Sequence, residues 1–272
     1  MKVDLHNHTK YSDGVWTCKE LIEEAIKANV DIFAITDHDS VFGVEEILEE
    51  VKNYNNIDVI PGVEISTNYK GQSVHIVCLF KDKKVPKEMM EFSIQNKQKR
   101  IDRAILMMNK IHEIYGLKVD IDELLKTGKV ITRGNMLRNI AKCNNLSFEE
   151  AQFYITQESK AYIPASKLTV QDGLDLARSS NAIAIFAHPC LVKREYLKEI
   201  LDFGFDGIEV YYPLNQNDDE EYMKSLAKEY NLFWSAGSDC HGDKTHANIG
   251  TCCLTKEEFM PMAKVLNYEL EE

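Results

Sequence analysis

Short apolar runs of strand-like composition recur at residues 3–5, 31–36, 57–65, 73–80, 182–187, 207–212 and 232–236, most of them separated by segments with helical periodicity. That alternation constrains the fold more than any other feature, because strands joined through helices return to one sheet as parallel neighbours covered by those helices. A Thr17-x-x-Glu20 capping box opens the first helix, and helical patterns follow at 44–54, 193–201 and 218–230. Seven strands with intervening helices predict an α/β fold: a closed, mostly parallel barrel. Between Lys81 and about Lys167 the strand pattern stops. Residues 86–115 read as one long helix, and Asp120-x-x-Glu123 and Ser147-x-x-Glu150 are two further capping boxes. The expected division is residues 1–80 and 167–272 as the barrel, with 81–166 an inserted helical subdomain. An insertion after a barrel strand sits over the active-site face, in the place of a lid or specificity element.

Composition sets the outer limits. The chain has 272 residues, 44% of them hydrophobic, enough to fill a substantial core. Its net charge of −12 argues against a broad surface that tracks duplex nucleic acid, which needs many Lys and Arg contacts. A small phosphorylated ligand or a short oligonucleotide stays open, since a metal cluster can supply positive charge locally. Seven cysteines without C-x-x-C spacing suit neither a disulfide framework nor a structural zinc knuckle, and read as reduced, mostly buried thiols. No basic-apolar leader precedes the first strand, and no apolar run approaches the roughly 18 residues of a membrane span. The expectation is a cytoplasmic, soluble protein without a membrane partner. The sequence is silent on oligomeric state, and Glu269-Leu270-Glu271-Glu272 reads as a solvated end.

Potential metal ligands fall where the strands do. His6-x-His8 follows the first strand, and residues i and i+2 of an extended segment point to one face, so both imidazoles can reach one ion. The second strand ends in Thr36-Asp37-His38-Asp39, the third runs into Gly62-Val63-Glu64, and the fourth carries His75. The fifth ends in Ala187-His188-Pro189 and the seventh in Gly237-Ser238-Asp239-Cys240-His241. In a parallel barrel the carboxyl ends of the strands meet on one face, where active sites are built. Histidines placed for packing alone would scatter; His112 and His246 do, and they read as ordinary residues. Asp13, in Ser12-Asp13-Gly14, fits either the metal set or a plain turn.

These motifs, together with Tyr11-Ser12-Asp13-Gly14, resemble the PHP family, the polymerase and histidinol phosphatase metal-dependent phosphoesterases, in the family's order along nearly the whole chain. The resemblance implies a distorted (β/α)7 barrel with two to three divalent ions, commonly manganese, iron or zinc. Carried over, His6, His8, Glu64 and Asp239 hold one metal. Glu64 bridges to a second bound by His75 and His188, while Asp13, His38 and His241 hold a third. Metals about 3.5–4 Å apart can share a hydroxide of lowered pKa and clamp phosphoryl oxygens, so in-line attack on phosphorus is the expected chemistry. Asp37, beside His38, and His241 are the candidate catalytic residues; for Asp37 a loop-capping role competes with orienting an imidazole.

Positive side chains are expected to finish a phosphate pocket. Ile131-Thr132-Arg133-Gly134-Asn135 and the segment 159–164 resemble the subgroup acting on nucleoside 3′,5′-bisphosphates and on the 5′ ends of short RNAs. Arg133 and Lys160, with Arg194 after the fifth strand, are therefore candidate phosphate binders, although each is also readable as a surface cation. The subgroup places a Pro-His pair directly after the arginine, and Gly134-Asn135 stands there instead. Asn135 can donate a hydrogen bond but cannot transfer a proton. The leading expectation is a metal-dependent phosphohydrolase for nucleotides; the alternatives are a histidinol-phosphate phosphatase and a non-catalytic metal-binding module.

Overall fold

The computed structural model of the protein describes residues 1–126, 131–163 and 168–270. The expected domain boundary at 166/167, Pro164 of the 159–164 segment, and the last two residues of the solvated end lie outside the described residues. Seven strands form one sheet in sequence order: β1 (Val3–Asp4), β2 (Ile32–Ile35), β3 (Asp58–Tyr69), β4 (Gln72–Leu79), β5 (Ile183–Phe186), β6 (Gly207–Tyr211) and β7 (Phe233–Ala236). Each is one of the seven predicted runs. Pairing is parallel except at β4, which runs antiparallel to both β3 and β5.

The reversal has a local cause. Lys70 (φ 48°) and Gly71 (φ 83°) join β3 to β4 in a two-residue turn with both φ positive, the geometry whose twist matches a tight hairpin. A hairpin thus replaces one expected intervening helix. The barrel also falls short of full closure, since β7 and β1 share no ladder among the described residues. Leu5 N–H donates to Ala236 O (2.8 Å) and isolated bridges pair Asn7 with Cys240 and Val3 with Leu254, spanning the gap. The sheet is therefore a mixed, distorted seven-stranded barrel.

Strand alternation divides the core in two. Ile32 and Ala34 of β2 and Ile183 and Ile185 of β5 join Val3, Leu5 and Val77 in one buried cluster. Their neighbours Phe33, Ile35, Ala184 and Phe186 join a second cluster with residues of the covering helices. Those helices include α1 (Cys18–Lys27), α2 (Val44–Glu50), α7 (Val170–Ser179), α8 (Leu197–Leu201) and α9 (Asp219–Tyr230). Helix α1 buries Cys18, Leu21, Ile22 and Ala25, an i, i+3, i+4, i+7 stripe, behind the Thr17 capping box. Helix α10 (Lys256–Val265) adds Phe259 and Met262 to the first cluster.

Between β4 and β5 lie α3 (Lys87–Tyr115), α4 (Ile121–Lys126), α5 (Arg133–Asn144) and α6 (Phe148–Gln152). They share a core of their own, in which Met107, Met108 and Ile111 of α3 meet Leu124, Met136, Ile140 and Ala151. The start of α3 packs elsewhere, with Met89 in the barrel's outer cluster. All seven cysteines are free thiols, and no described helix is long and apolar enough to cross a membrane.

Across the gap between β7 and β1, Asp4 acts as the fastener. Its fully buried carboxylate accepts from Ser238 N (3.1 Å), Ser238 Oγ (2.6 Å), Asn7 Nδ2 (3.1 Å) and Gly250 N (2.8 Å). Asp4→Ala strands those donors, and a loss of about 3 kcal/mol in unfolding free energy is expected from the desolvation of unsatisfied groups. Equilibrium urea unfolding measures it; a change below about 1 kcal/mol would show that the gap is closed by packing instead.

Candidate metal centre

Glu64 occupies the middle of β3 with no solvent exposure, and five imidazoles surround its carboxylate. One oxygen, Oε2, lies 3.4 Å from Nε2 of His6, 3.4 Å from Nε2 of His8 and 2.9 Å from Nδ1 of His38. The other, Oε1, lies 2.8 Å from Nδ1 of His75 and 2.9 Å from Nε2 of His188. Asp239 adds an oxygen 3.0 Å from His8 Nε2 and 3.6 Å from His6 Nε2. Asp13 lies 3.2 Å from His241 Nε2 and 3.8 Å from His38 Nε2.

The topology explains the convergence. His6, His8, His38, His188, Asp239 and His241 follow parallel strands and so emerge at one end of the barrel. His75 lies in the first half of β4, opposite Ser66. Because β4 is reversed, its beginning reaches the rim where the other strands end. Backbone strain marks the same rim, with Asp39 (φ 50°), His188 (φ 31°) and Asp239 (φ 50°) all left-handed. His188 also precedes a proline, a position pushed toward extended conformations, so surrounding contacts must hold it there.

The donor set fits divalent cations. Ligand atoms lie within 4.8 Å of one another in four overlapping sets: His8, Asp13, His38 and His241; His6, Glu64 and His188; His6, His8 and Asp239; His38, Glu64 and His75. All nine expected residues are in these sets, and Glu64 joins two of them. Nε2 of His6 and His8, Nδ1 of His38 and Oε2 of Glu64 are buried and face one another at 2.9–3.4 Å without hydrogen-bond geometry, as lone-pair donors directed at a common point do. Burial carries the His8 pKa down to about 3 and the His75 pKa to about 4, leaving both as neutral imidazoles with lone pairs to donate. Burial also opposes ionisation of Glu64, but His38 and His6 outweigh it and hold the carboxyl well below its ordinary range. Mixed imidazole and carboxylate ligation suits manganese, iron and zinc.

The other expected site residues divide. Asp37 is buried and accepts from Thr9 N (2.8 Å), Thr9 Oγ1 (2.6 Å) and Ser12 Oγ (2.6 Å), so it fixes the loop carrying Asp13. The loop-capping role is the one its contacts fill. Burial pushes its pKa up to about 6. Arg133 begins α5 and lines the cleft above the centre. Asn135 does not join it: its amide oxygen accepts from Thr132 N (2.8 Å) in the cap of α5. Lys160 is exposed and outside the cleft lining. Arg194 faces away as well, paired with both oxygens of Asp218 (2.9 and 2.8 Å) and stacked 3.9 Å over the Tyr222 ring. Of the three candidate cations, Arg133 lines the cleft, Lys160 stays in solvent and Arg194 is committed to Asp218 and Tyr222.

Several residues at the centre carried no sequence signal. Glu209 on β6, buried, lies 3.2 Å from His6 Nδ1 and accepts from the backbone N–H of His188 (2.6 Å), orienting the His6 imidazole and fixing the backbone of His188. Tyr212 donates to Asp239 Oδ2 (2.9 Å). His246, read as an ordinary residue, stacks on His241 with ring centroids 3.9 Å apart. From α3, Arg100 reaches down to Asp39 Oδ2 (2.7 Å from Nε) and Ser66 Oγ (2.9 Å from Nη2). The pairing of a helix arginine with a barrel-rim aspartate 61 residues away leaves no local pattern.

The centre opens into a cleft of about 900 Å³ between the strand ends and the helices α3 and α5. Asp13, His38, Glu64, His75, His188, Asp239 and His241 line its floor, and Arg100, Arg103, Arg133 and Arg138 are among its other lining residues. A sequence profile of the PHP domain matches residues 4–165. The chain is 33% identical over 250 residues to a 5′-3′ exoribonuclease of Haemophilus influenzae, covering 88% of this chain and 90% of that one. It is 27% identical over 255 residues to the 3′,5′-nucleoside bisphosphate phosphatase of Chromobacterium violaceum, covering 88% and 87% respectively. In fold it is similar to a Bifidobacterium adolescentis protein assigned as a metal-dependent phosphoesterase, with a TM-score of 0.86, 22% identity and 97% and 96% of the two chains covered. With the profile spanning more than half of the chain and the buried histidine and carboxylate cluster in place, the protein belongs to the PHP domain family and is a metal-dependent phosphoesterase.

Proposed function

We propose that the protein hydrolyses phosphate esters of small nucleotides, either 3′,5′-bisphosphates or short 5′-phosphorylated oligoribonucleotides, with 81–166 serving as its specificity subdomain. The observation that carries this reading is the pairing of the nine-residue cluster with arginines at one cleft. In this reading His6, His8, Asp13, His38, Glu64, His75, His188, Asp239 and His241 hold two to three divalent ions of the manganese, iron or zinc type. Such ions supply Lewis-acid polarisation of a phosphoryl group and lower the pKa of water.

The chain's own residues do the rest. Glu209 and Tyr212 orient His6 and Asp239, so the donors are set before substrate arrives. Arg103 and Arg133 line one side of the cleft beside Arg100, whose guanidinium is engaged by Asp39; besides burial, the neighbouring Arg100 and Arg133 guanidiniums lower the Arg103 pKa to about 10. A guanidinium binds phosphate in a bidentate way, so this cluster suits a substrate with phosphate beyond the ester being cleaved. The resemblance to nucleotide- and RNA-acting relatives supports the same substrate class.

A phosphate-release panel with added Mn²⁺, comparing adenosine 3′,5′-bisphosphate, 5′-phosphorylated dinucleotides and histidinol phosphate, tests the substrate class. Turnover of a nucleotide is expected, and turnover of histidinol phosphate alone would overturn it. His188→Ala is expected to lower kcat by at least about 100-fold, since even outer contacts to a metal ligand are worth up to that much, while its circular dichroism stays that of the parent. Chelation should abolish turnover of the parent and Mn²⁺ restore it. Arg133→Ala, by contrast, should raise KM about tenfold through loss of one charged hydrogen bond, leaving kcat within a few fold of the parent.

A further inference from the structure

Most of the centre is held by strands or by residues that brace strand ends; the Asp13–His241 corner is held differently. Asp13 sits in the loop after β1 and His241 in the loop after β7, and the two are 3.2 Å apart at Oδ1 and Nε2. Asp37 holds the first loop and Val15 N–H donates to His241 O (2.8 Å) between them, and a further brace on both comes from the helical segment between β4 and β5. Arg138 of α5 donates from Nη1 to the backbone oxygen of Asp13 (2.7 Å) and from Nη2 to Asp243 Oδ2 (2.6 Å). Asp243 in turn holds His246 through the backbone N–H (3.0 Å) and the ring Nδ1 (2.9 Å), and the His246 ring stacks on His241. The first turn of α5 runs close beside the same loop, where a Cβ at Gly134 would lie 3.4 Å from that of Asp13.

We infer that Arg138 is a positioning residue for the Asp13–His241 corner and sets that corner's affinity for a divalent cation. It spans two loops joined otherwise by single backbone bonds such as Val15 N–H to His241 O, and fixes one directly and the other through Asp243 and His246. Both donor edges named above are committed to the protein, so Arg138 braces the cleft wall and leaves substrate phosphate to Arg133 and its neighbours. One helix therefore carries both a cleft-facing cation and the brace of a metal corner. The inference rests on the proposed reading of the centre, and goes beyond it by making the insertion a determinant of metal occupancy.

The test is a calorimetric Mn²⁺ titration of chelator-stripped full-length protein, paired with metal content after gel filtration, on the parent, Arg138→Ala and Asp243→Asn. In both variants one equivalent of Mn²⁺ should bind about 10- to 100-fold more weakly while the remaining equivalents keep the parent's affinity. Excess Mn²⁺ should restore kcat with KM unchanged, which separates positioning from substrate contact. Near-UV circular dichroism checks folding; should Arg138→Ala fail to fold, Asp243→Asn, which keeps the hydrogen bond to Asp13, decides alone. Parent-like isotherms in the folded variants, or equal weakening of every equivalent, overturn the inference and leave the centre's reading standing. A parent protein that binds no Mn²⁺ overturns both.

Discussion

A carboxylate with no access to solvent governs this molecule. An isolated buried charge is among the most expensive features a protein can contain, and Glu64 is tolerable only because five imidazoles approach it. Those imidazoles come from four separate stretches of chain: the end of β1, the end of β2, β4 and the end of β5. Only a sheet that curls back on itself brings them to one point. The barrel and the ligand cluster are therefore one solution, each conditional on the other.

The departures from a regular barrel sit where that solution needs them. Reversing β4 presents His75 at the ligand-bearing rim through the first half of a strand. Among the described residues β7 and β1 share no ladder, and isolated backbone bonds together with the Asp4 carboxylate span the gap, so Ser238 and the residues after it can turn toward the centre instead of continuing a strand. Close approach is bounded by Gly237, where a Cβ would lie 2.2 Å from that of His6. Left-handed residues at Asp39, His188 and Asp239 cost about 1–3 kcal/mol each, a strain that persists when surrounding contacts over-determine the conformation.

The helical segment between β4 and β5 is coupled to the centre at two places. Arg100 of α3 reaches Asp39, next to His38, and Arg138 of α5 reaches the backbone of Asp13. A segment that merely covered the cleft would need no such contacts. Its helices carry the cleft's arginines and brace the loops beneath them, so the cleft wall and the donor set share one support.

The sequence by itself determined the strand positions, the Thr17 capping box and the ligand-type residues at the strand ends, because these depend on periods of two and on residues a few positions apart; the set of nine, with Asp13, followed from the family resemblance. Tertiary structure decided what depends on partners far away in the chain. A positive-φ turn at Lys70 and Gly71 reversed a strand whose composition reads the same in either direction. Asn135 became a helix cap and Arg194 an ion-pair partner, because an amide or a guanidinium serves whichever group lies nearest once the chain is packed. Glu209, Arg100 and Arg138 acquired their roles the same way. Their contacts span 21 to 203 residues, distances over which local sequence carries no geometric information.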